Sequence, residues 1–368
     1  MAAKAQLRDR QDIVFWRLQN QGLLGKPFAR PAQVVTRLLA MQSQDFSGAK
    51  WAIGQRLAAP TEASVDAAFQ RGDILRTHVL RPTWHFVAPA DIRFLLELTS
   101  PRIKAGSAPY FRKHGLDANS LRRSRRVLEK QLPGLQLTRE ELAVSLAEAG
   151  LPVRGEALSY QMIAAELDGV ICSGARRGKQ HTYALLEERV APTTRLGRDE
   201  ALAQLALRYL QGHGPALVHD LAWWSGLTVA DAKRAIAACA QGLQHAEIEG
   251  KTYWFAAAVS LAPRAGPLVH LLPNYDEQLI AYRFRANAID PAIAPRVGPG
   301  DGIFDGHFVT IDGKLVGGWR RDLGKTHVSV QAALLRRPSR AEQRELGVAA
   351  QRYADYVGAK LELSVTMR

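Results

Sequence analysis

Residues 137–188 read LTREELAVSLAEAGLPVRGEALSYQMIAAELDGVICSGARRGKQHTYALLEE, and the order of patterns in this stretch decides the fold. Thr138-Arg139-Glu140-Glu141 has capping-box spacing, in which the first and fourth residues exchange hydrogen bonds and start a helix. Gly150 ends that helix. A second helix, over about 156–168, carries Leu158, Met162, Ile163 and Leu167. Two short apolar runs follow, Gly169-Val170-Ile171-Cys172 and Tyr183-Ala184-Leu185. They bracket Arg176, Arg177, Lys179 and His181. Helix, helix and then a hairpin with a basic tip is how a winged helix reads, and such tips meet DNA phosphates through their cations.

Working outward, residues 199–257 repeat this order. Helices are expected over 199–211, 217–225 (with Trp223 and Trp224) and 228–240, then a hairpin whose turn is Gly250-Lys251. Residues 10–100 supply a third unit. It has a helix over 10–25, one running from Pro31 into Gln42, two more near 49–58 and 61–69, and strand material over 74–87. Pro89 then begins a helix that runs through Leu98. The repeat lies in the architecture, not in matching residues. A basic helix at 119–132 crowds Arg122, Arg123, Arg125 and Arg126 together, either as a solvated face or as a DNA contact. Pro263 to Pro267 reads as a linker. Beyond it, Ile311-Asp312-Gly313-Lys314-Leu315 is a strong hairpin signal, and a helix over 338–356 precedes a final strand. The expected fold is α+β: three tandem winged helices (1–133, the first with its helical linker, 134–195 and 196–262) and a C-terminal β-rich, barrel-like domain (263–368).

Composition narrows the function. The chain has 368 residues, 47% of them hydrophobic, a formal charge of +14 and a pI near 10.0. A charge of this sign favours polyanionic partners. Cys172 and Cys239 stand apart in apolar contexts, which fits a reducing cytosol and neither a disulfide framework nor a thiolate metal site. The histidines are scattered, so no metal and no cofactor are expected. Gly298-Pro299-Gly300-Asp301-Gly302 lacks the lysine of a phosphate loop, and no G-x-S-x-G elbow occurs. Met1 to Arg10 has no signal-peptide core, and no run reaches the roughly 18 apolar residues of a membrane span. The reading is a soluble, cytoplasmic protein.

The functional stretch is Leu38-Leu39-Ala40-Met41-Gln42-Ser43-Gln44-Asp45-Phe46. Val34, Val35, Leu38, Leu39 and Gln42 follow one helical face, so Gln42 stands where an apolar residue is due. Gln44 would lie about 200° further round the same helix. The two amides converge only if the helix ends at or just after Gln42, and Asp45-Phe46-Ser47-Gly48 offers breaking chemistry. On spacing alone, amides capping a helix end also explain the pair. Arg81, Thr83 and His85 share one face of a strand interrupted at Pro82, and either a solvated face or a surface toward DNA fits them. Asn274-Tyr275-Asp276-Glu277 reads either as an N-cap with Glu277 three residues on or as part of a site.

These stretches together, with Leu80-Arg81-Pro82-Thr83-Trp84-His85 and Asp312-Gly313-Lys314-Leu315-Val316-Gly317-Gly318-Trp319, resemble the AlkZ/YcaQ superfamily of winged-helix DNA glycosylases over about residues 10–365. The resemblance implies a C-shaped arrangement of the winged helices. It also implies a Gln-x-Gln catalytic motif at Gln42 and Gln44, with Ser43 as a mild departure at the middle position. Amides suit this chemistry for a physical reason. Normal glycoside cleavage needs an acid to protonate the leaving group. An N7- or N3-alkylated purine is already cationic and leaves without one. What remains is to hold a water and stabilise an oxocarbenium-like transition state, which fixed amide dipoles can do.

The expectation is therefore a monofunctional DNA glycosylase acting on cationic alkylpurines, interstrand crosslinks included. Its partner would be double-stranded DNA with alkylated bases, bound by a monomer that is nucleoid-associated when on DNA. Arg81, Thr83, His85, Arg122, Arg123, Arg176, Arg177 and Lys179 would contact DNA. Asp45, Asn274, Tyr275, Asp276, Glu277 and Trp319 would support the site, with Asp45 as an alternative water-orienting group. A non-enzymatic winged-helix regulator is the other reading. A small-molecule hydrolase using Asp276 and Glu277 is a third.

Overall fold

The computed structural model describes residues 7–256, 261–297 and 306–368; Met1 to Gln6 and the Gly298–Gly302 loop lie outside them. The first unit runs α1 (Arg10–Asn20), α2 (Pro31–Leu38), β1 (Ala40–Gln42), α3 (Phe46–Gly54), α4 (Glu62–Arg71), β2 (Leu75–Val79) and β3 (Thr83–Val87). Its sheet has the order β1-β3-β2 and is antiparallel throughout. Pro31 occupies the first turn of α2, where its missing N–H costs nothing. That helix stops at Leu38, so the expected continuation to Gln42 is wrong. Leu39 takes a left-handed conformation, φ 65° and ψ −47°, and turns the chain into β1. A leucine rarely tolerates that conformation, but its complete burial in the core holds it there.

Two helices connect to the next unit, α5 (Pro89–Lys113) and α6 (Ala118–Gln131). Helix α5 runs well past Leu98, through Pro101 and Pro109. Burial of Ile103 and Phe111 outweighs the lost backbone bonds, with Phe111 packing against Leu116 and Ala164. The second unit is β4 (Leu137–Thr138), α7 (Arg139–Glu148), α8 (Ala157–Leu167), β5 (Ile171–Ser173), β6 (Thr182–Leu185) and α9 (Leu186–Arg189). Its capping box forms as expected: Glu141 N–H donates to Thr138 Oγ1 at 3.2 Å, and Thr138 N–H to Glu141 Oε2 at 2.7 Å. The third unit is α10 (Arg198–His213), α11 (Val218–Ser225), α12 (Val229–Ala238), β7 (Gln244–Ile248) and β8 (Lys251–Phe255). The turn between the last two is Glu249-Gly250, both left-handed, one residue before the expected Gly-Lys.

The C-terminal segment comprises β9 (Val269–Leu272), α13 (Glu277–Ile280), β10 (His307–Ile311), β11 (Lys314–Leu323), β12 (His327–Leu334), α14 (Arg340–Val357) and β13 (Lys360–Met367). Asp312 and Gly313 make the expected hairpin turn, both at positive φ. The sheet order is β13-β12-β11-β10-β9, with β13 parallel to β12. Among the described residues this sheet is open and forms no closed barrel, which corrects the barrel-like expectation. The crossover helix α14 covers one face and delivers β13 to an edge, far from β9.

The first unit's sheet is buried on both faces, and this places β1 deep in the molecule. Ala40, Leu75, Val79 and Val87 pack with Leu202, Leu205, Tyr209 and Trp224 of the third unit. Met41 and Phe86 pack with Leu271, Val309 and Trp319 of the C-terminal segment. Among the described residues no helix is long and apolar enough to cross a membrane.

A bidentate ion pair ties these layers together. Arg56 Nη1 and Nη2 donate to the two Asp276 carboxylate oxygens at 2.9 Å each, and neither side chain is exposed. Arg56 also donates to the carbonyls of Gln21, at 2.8 Å, and Ala52, at 2.7 Å. Removing one member of such a pair strands a buried charge. Arg56→Met is expected to cost about 3–5 kcal/mol in urea unfolding, and the additional change Asp276→Asn should recover part of that loss.

Candidate active site

Gln42 ends strand β1 rather than a helix, and Gln44 lies in the bend that follows it. Gln42 faces His85 across the β1–β3 pair, and Ser43 N–H donates to Trp84 O at 2.7 Å just beyond β1. Gln42 is buried and Gln44 exposed; the Gln44 side-chain oxygen accepts from Trp84 N–H at 3.4 Å.

Gln42 is held at both ends. Its N–H lies on the free edge of β1 and donates to Glu277 Oε1 at 3.0 Å. Its side-chain Oε1 accepts from Arg81 Nη2 at 3.1 Å, which leaves that oxygen a second lone pair. Glu277 is itself buried. Its Oε2 accepts from Trp224 Nε1 at 2.9 Å and lies 3.2 Å from His213 Nε2. One carboxylate therefore joins α13, α11, α10 and the Gln42 backbone.

This geometry overturns the capping alternative for Asn274 and Glu277. The N-cap of α13 is Asp276, whose Oδ1 accepts from Gln278 N–H at 2.9 Å, and Glu277 is the first helical residue. Asp276 is also committed to Arg56. Asn274 N–H donates to His307 Nδ1 at 2.9 Å, while its own Oδ1 is buried without a partner. Tyr275 is half-buried with a positive φ. Trp319 is buried and donates to Leu272 O at 2.8 Å, so it braces β9 within the core. Asp45 caps α3 by accepting from Gly48 N–H at 3.0 Å.

Arg81 lies in the reversal between β2 and β3, beside Leu80 at φ 62°, so residues 74–87 form a hairpin broken at Pro82. Burial lowers the Arg81 pKa, Glu277 opposes that shift and Arg285 adds to it. Thr83 is half-buried with an unpartnered hydroxyl. His85 is fully buried and donates through Nδ1 to Thr83 O at 2.9 Å, with Nε2 unpartnered. Burial first, and then the Arg81 charge, push its pKa down to about 3. A neutral, buried His85 lies behind the surface, so its expected direct contact with DNA is withdrawn.

The remaining cations are partly engaged. Arg122 is exposed, and Arg123 donates to Ala149 O. In the second unit's hairpin, Arg176 donates to Lys179 O at 2.9 Å and sits 4.9 Å from the Phe46 ring centroid. Arg177 pairs with Glu141 at 2.7 Å, and Lys179 is exposed. Sequence reasoning passed over Arg76. It donates to Ser43 O at 2.9 Å and stacks 4.1 Å over Trp84, with its pKa lowered to about 10 by burial. It clamps the residue between the two glutamines. An arginine inside a strand-like apolar run was the available signal.

On this strongly basic protein, one buried amide is thus fixed between a buried carboxylate and an arginine. The family profile described as AlkZ-like, DNA glycosylase AlkZ-like, matches residues 35–356, and the chain belongs to that family. It is similar to an interstrand DNA cross-link repair glycosylase of Streptomyces sahachiroi, 26% identical over 230 residues. That match takes in 59% of this chain and 60% of the length of that relative. The solved structure of Streptomyces sahachiroi DNA glycosylase AlkZ superposes with a TM-score of 0.80 at 21% identity, over 98% of this chain and 100% of that one, so the two share a fold.

The buried His85 makes a prediction about pH. An unfolded histidine takes up a proton near pH 6.5, whereas folded His85 does not until about pH 3. The unfolded state binds more protons between those values, so stability falls as pH drops. At pH 5 this one residue should cost about 2 kcal/mol relative to pH 8. His85→Gln should flatten that part of the pH dependence of the unfolding midpoint, measured by denaturant titration at each pH.

Proposed function

We propose that this protein is a monofunctional DNA glycosylase that hydrolyses the N-glycosidic bond of cationic N7- or N3-alkylated purines. The same chemistry would unhook interstrand crosslinks made through such purines, in line with the similarity to the Streptomyces sahachiroi interstrand DNA cross-link repair glycosylase. In this reading the three helix-and-hairpin units, 1–133, 134–195 and 196–262, are winged helices arranged in a C around double-stranded DNA. The segment 263–368 closes the site, and the protein acts as a monomer.

The observation that carries the proposal is the double anchoring of Gln42, by Glu277 at its backbone and Arg81 at its amide oxygen. A positively charged base departs without an acid. Gln42 and Gln44 would then orient a water at the anomeric carbon and turn amide oxygens toward the developing oxocarbenium charge. Fixed dipoles in a dry site do this without the cost of reorganising solvent. Glu277 does not touch substrate. It fixes Gln42 and places a negative charge behind a centre that becomes more positive at the sugar. Exposed cations such as Arg122 and Lys179 would supply salt-dependent attraction to the phosphates.

The test is release of 7-methylguanine from methylated duplex DNA. Gln42→Ala and Gln44→Ala are each expected to slow the single-turnover step about a hundredfold while DNA affinity stays within a few-fold. Purified protein that bound DNA yet released no base from methylated or crosslinked substrates would identify a non-enzymatic binder instead.

Glu277→Gln keeps the size of the side chain and removes its charge. It should lower the single-turnover rate at saturating DNA by tenfold or more, a share of the electrostatic effect, with little change in the half-saturating DNA concentration. A change confined to half-saturation would count against the positioning role.

A further inference from the structure

The outer face of α11 carries His219 and Trp223, four residues apart and so adjacent on one side of the helix. Both are exposed, Trp223 by 41%. The indole is held in place, because its Nε1 donates to Ile280 O at 3.1 Å. Phe284, 43% exposed, lies with its ring edge-on to His219 at 6.2 Å. The Phe284 loop is anchored through the N–H groups of Arg283 and Phe284, which donate to buried Asp220 at 2.9 and 3.3 Å. Two aromatic rings are thus held at the surface, each partly exposed.

Cations are interleaved with them. Arg81 and Arg285 lie 5.7 and 5.9 Å from the Trp223 ring centroid. Lys251 and Arg283 lie 5.5 and 6.0 Å from that of Phe284. Among the described residues, Arg81, Arg283 and Lys251 make no ion pair with a carboxylate. A protein-binding patch would have an apolar centre depleted of charge. Rings alternating with cations are what a nucleic-acid strand with exposed bases fits, phosphates on the cations and base faces on the rings. Intact duplex offers only its phosphates, because its base faces are stacked inside. Arg81 touches both Gln42 Oε1 and this surface, so the patch begins at the catalytic amide.

We propose that Trp223 and Phe284 form a stacking platform for an unpaired base next to the lesion, with Arg81, Arg285, Arg283 and Lys251 on the flanking phosphates. The inference rests on the glycosylase reading for its choice of DNA. It adds that the strand is gripped in a locally unpaired state.

The experiment is a binding measurement on the full chain, with no turnover required. Fluorescein-labelled duplexes of one sequence, one fully paired and one with a single unpaired purine, are titrated and read by anisotropy. The wild type should prefer the unpaired form. Trp223→Ala with Phe284→Ala should weaken that complex about tenfold, change binding of the paired duplex less than twofold and so abolish the preference. Trp223→Phe with Phe284→Tyr should restore it, which separates stacking from misfolding. Arg283→Gln and Lys251→Gln should weaken both complexes and lower the salt slope by about 0.9 each. Equal weakening of both duplexes by the alanine pair, or none of either, overturns the platform. Lost base release with the discrimination intact would overturn the glycosylase reading and leave the platform standing.

Discussion

The hydrogen bond from the Gln42 N–H to Glu277 is the contact on which the rest of the site depends. β1 is an edge strand of three residues, and its outward N–H would otherwise be buried without a partner. A carboxylate from more than two hundred residues away fills that role. It is positioned in turn by Trp224 and His213 of the third unit and by the turn that Arg56 locks through Asp276. Three separately folded patterns in the sequence therefore converge on one amide. Burial, not loop rigidity, fixes that amide, which is the preorganisation the proposed catalysis would need.

Much of the architecture was legible because it is encoded locally. The capping box at Thr138, the helix pairs and the Asp312-Gly313 turn are short-range signals, and each formed as read. The site itself was misread wherever a distant partner decides. Val34 to Gln42 fits a helical period, but Leu39 leaves the helix at a positive φ with no glycine to announce it. Only the core that buries Leu39 selects that conformation. Likewise Asn274 and Asp276 are equally good N-caps by local chemistry. Asp276 takes the position because Arg56 fixes its carboxylate from across the molecule. The barrel expectation failed for a related reason. Strand patterns predict pairing, but not that α14 would carry the last strand to the far, parallel edge.

The placement of charge around Gln42 is directional. Glu277 lies behind it in the core, and Arg81 and Arg285 lie toward the surface that carries Trp223. Arginines at the reacting sugar would oppose a cationic transition state, since unit charges at short range in a partly dry site interact by several kcal/mol. Arg81 bonds the Gln42 oxygen itself and so sits at that centre, where Glu277 offsets its charge; Arg285 lies beside Trp223, suited to a phosphate. The buried anion and the surface cations then act in one sense. On the proposed mechanism the phosphates would rest on these cations, and the carboxylate would favour positive charge at the anomeric carbon.

That separation also gives the neutral pair of amides a physical rationale. A carboxylate at position 42 would sit next to Glu277, and two adjacent buried anions hold a proton between them. Its charge would then vary with pH and with the substrate's own charge. An amide keeps its dipole under all conditions and leaves Glu277 without a second carboxylate beside it. The cost is that an amide cannot protonate a leaving group, so on the proposed mechanism neutral bases would be refused. On the proposed mechanism, selectivity for lesions that carry their own positive charge would follow from the same arrangement that keeps β1 folded.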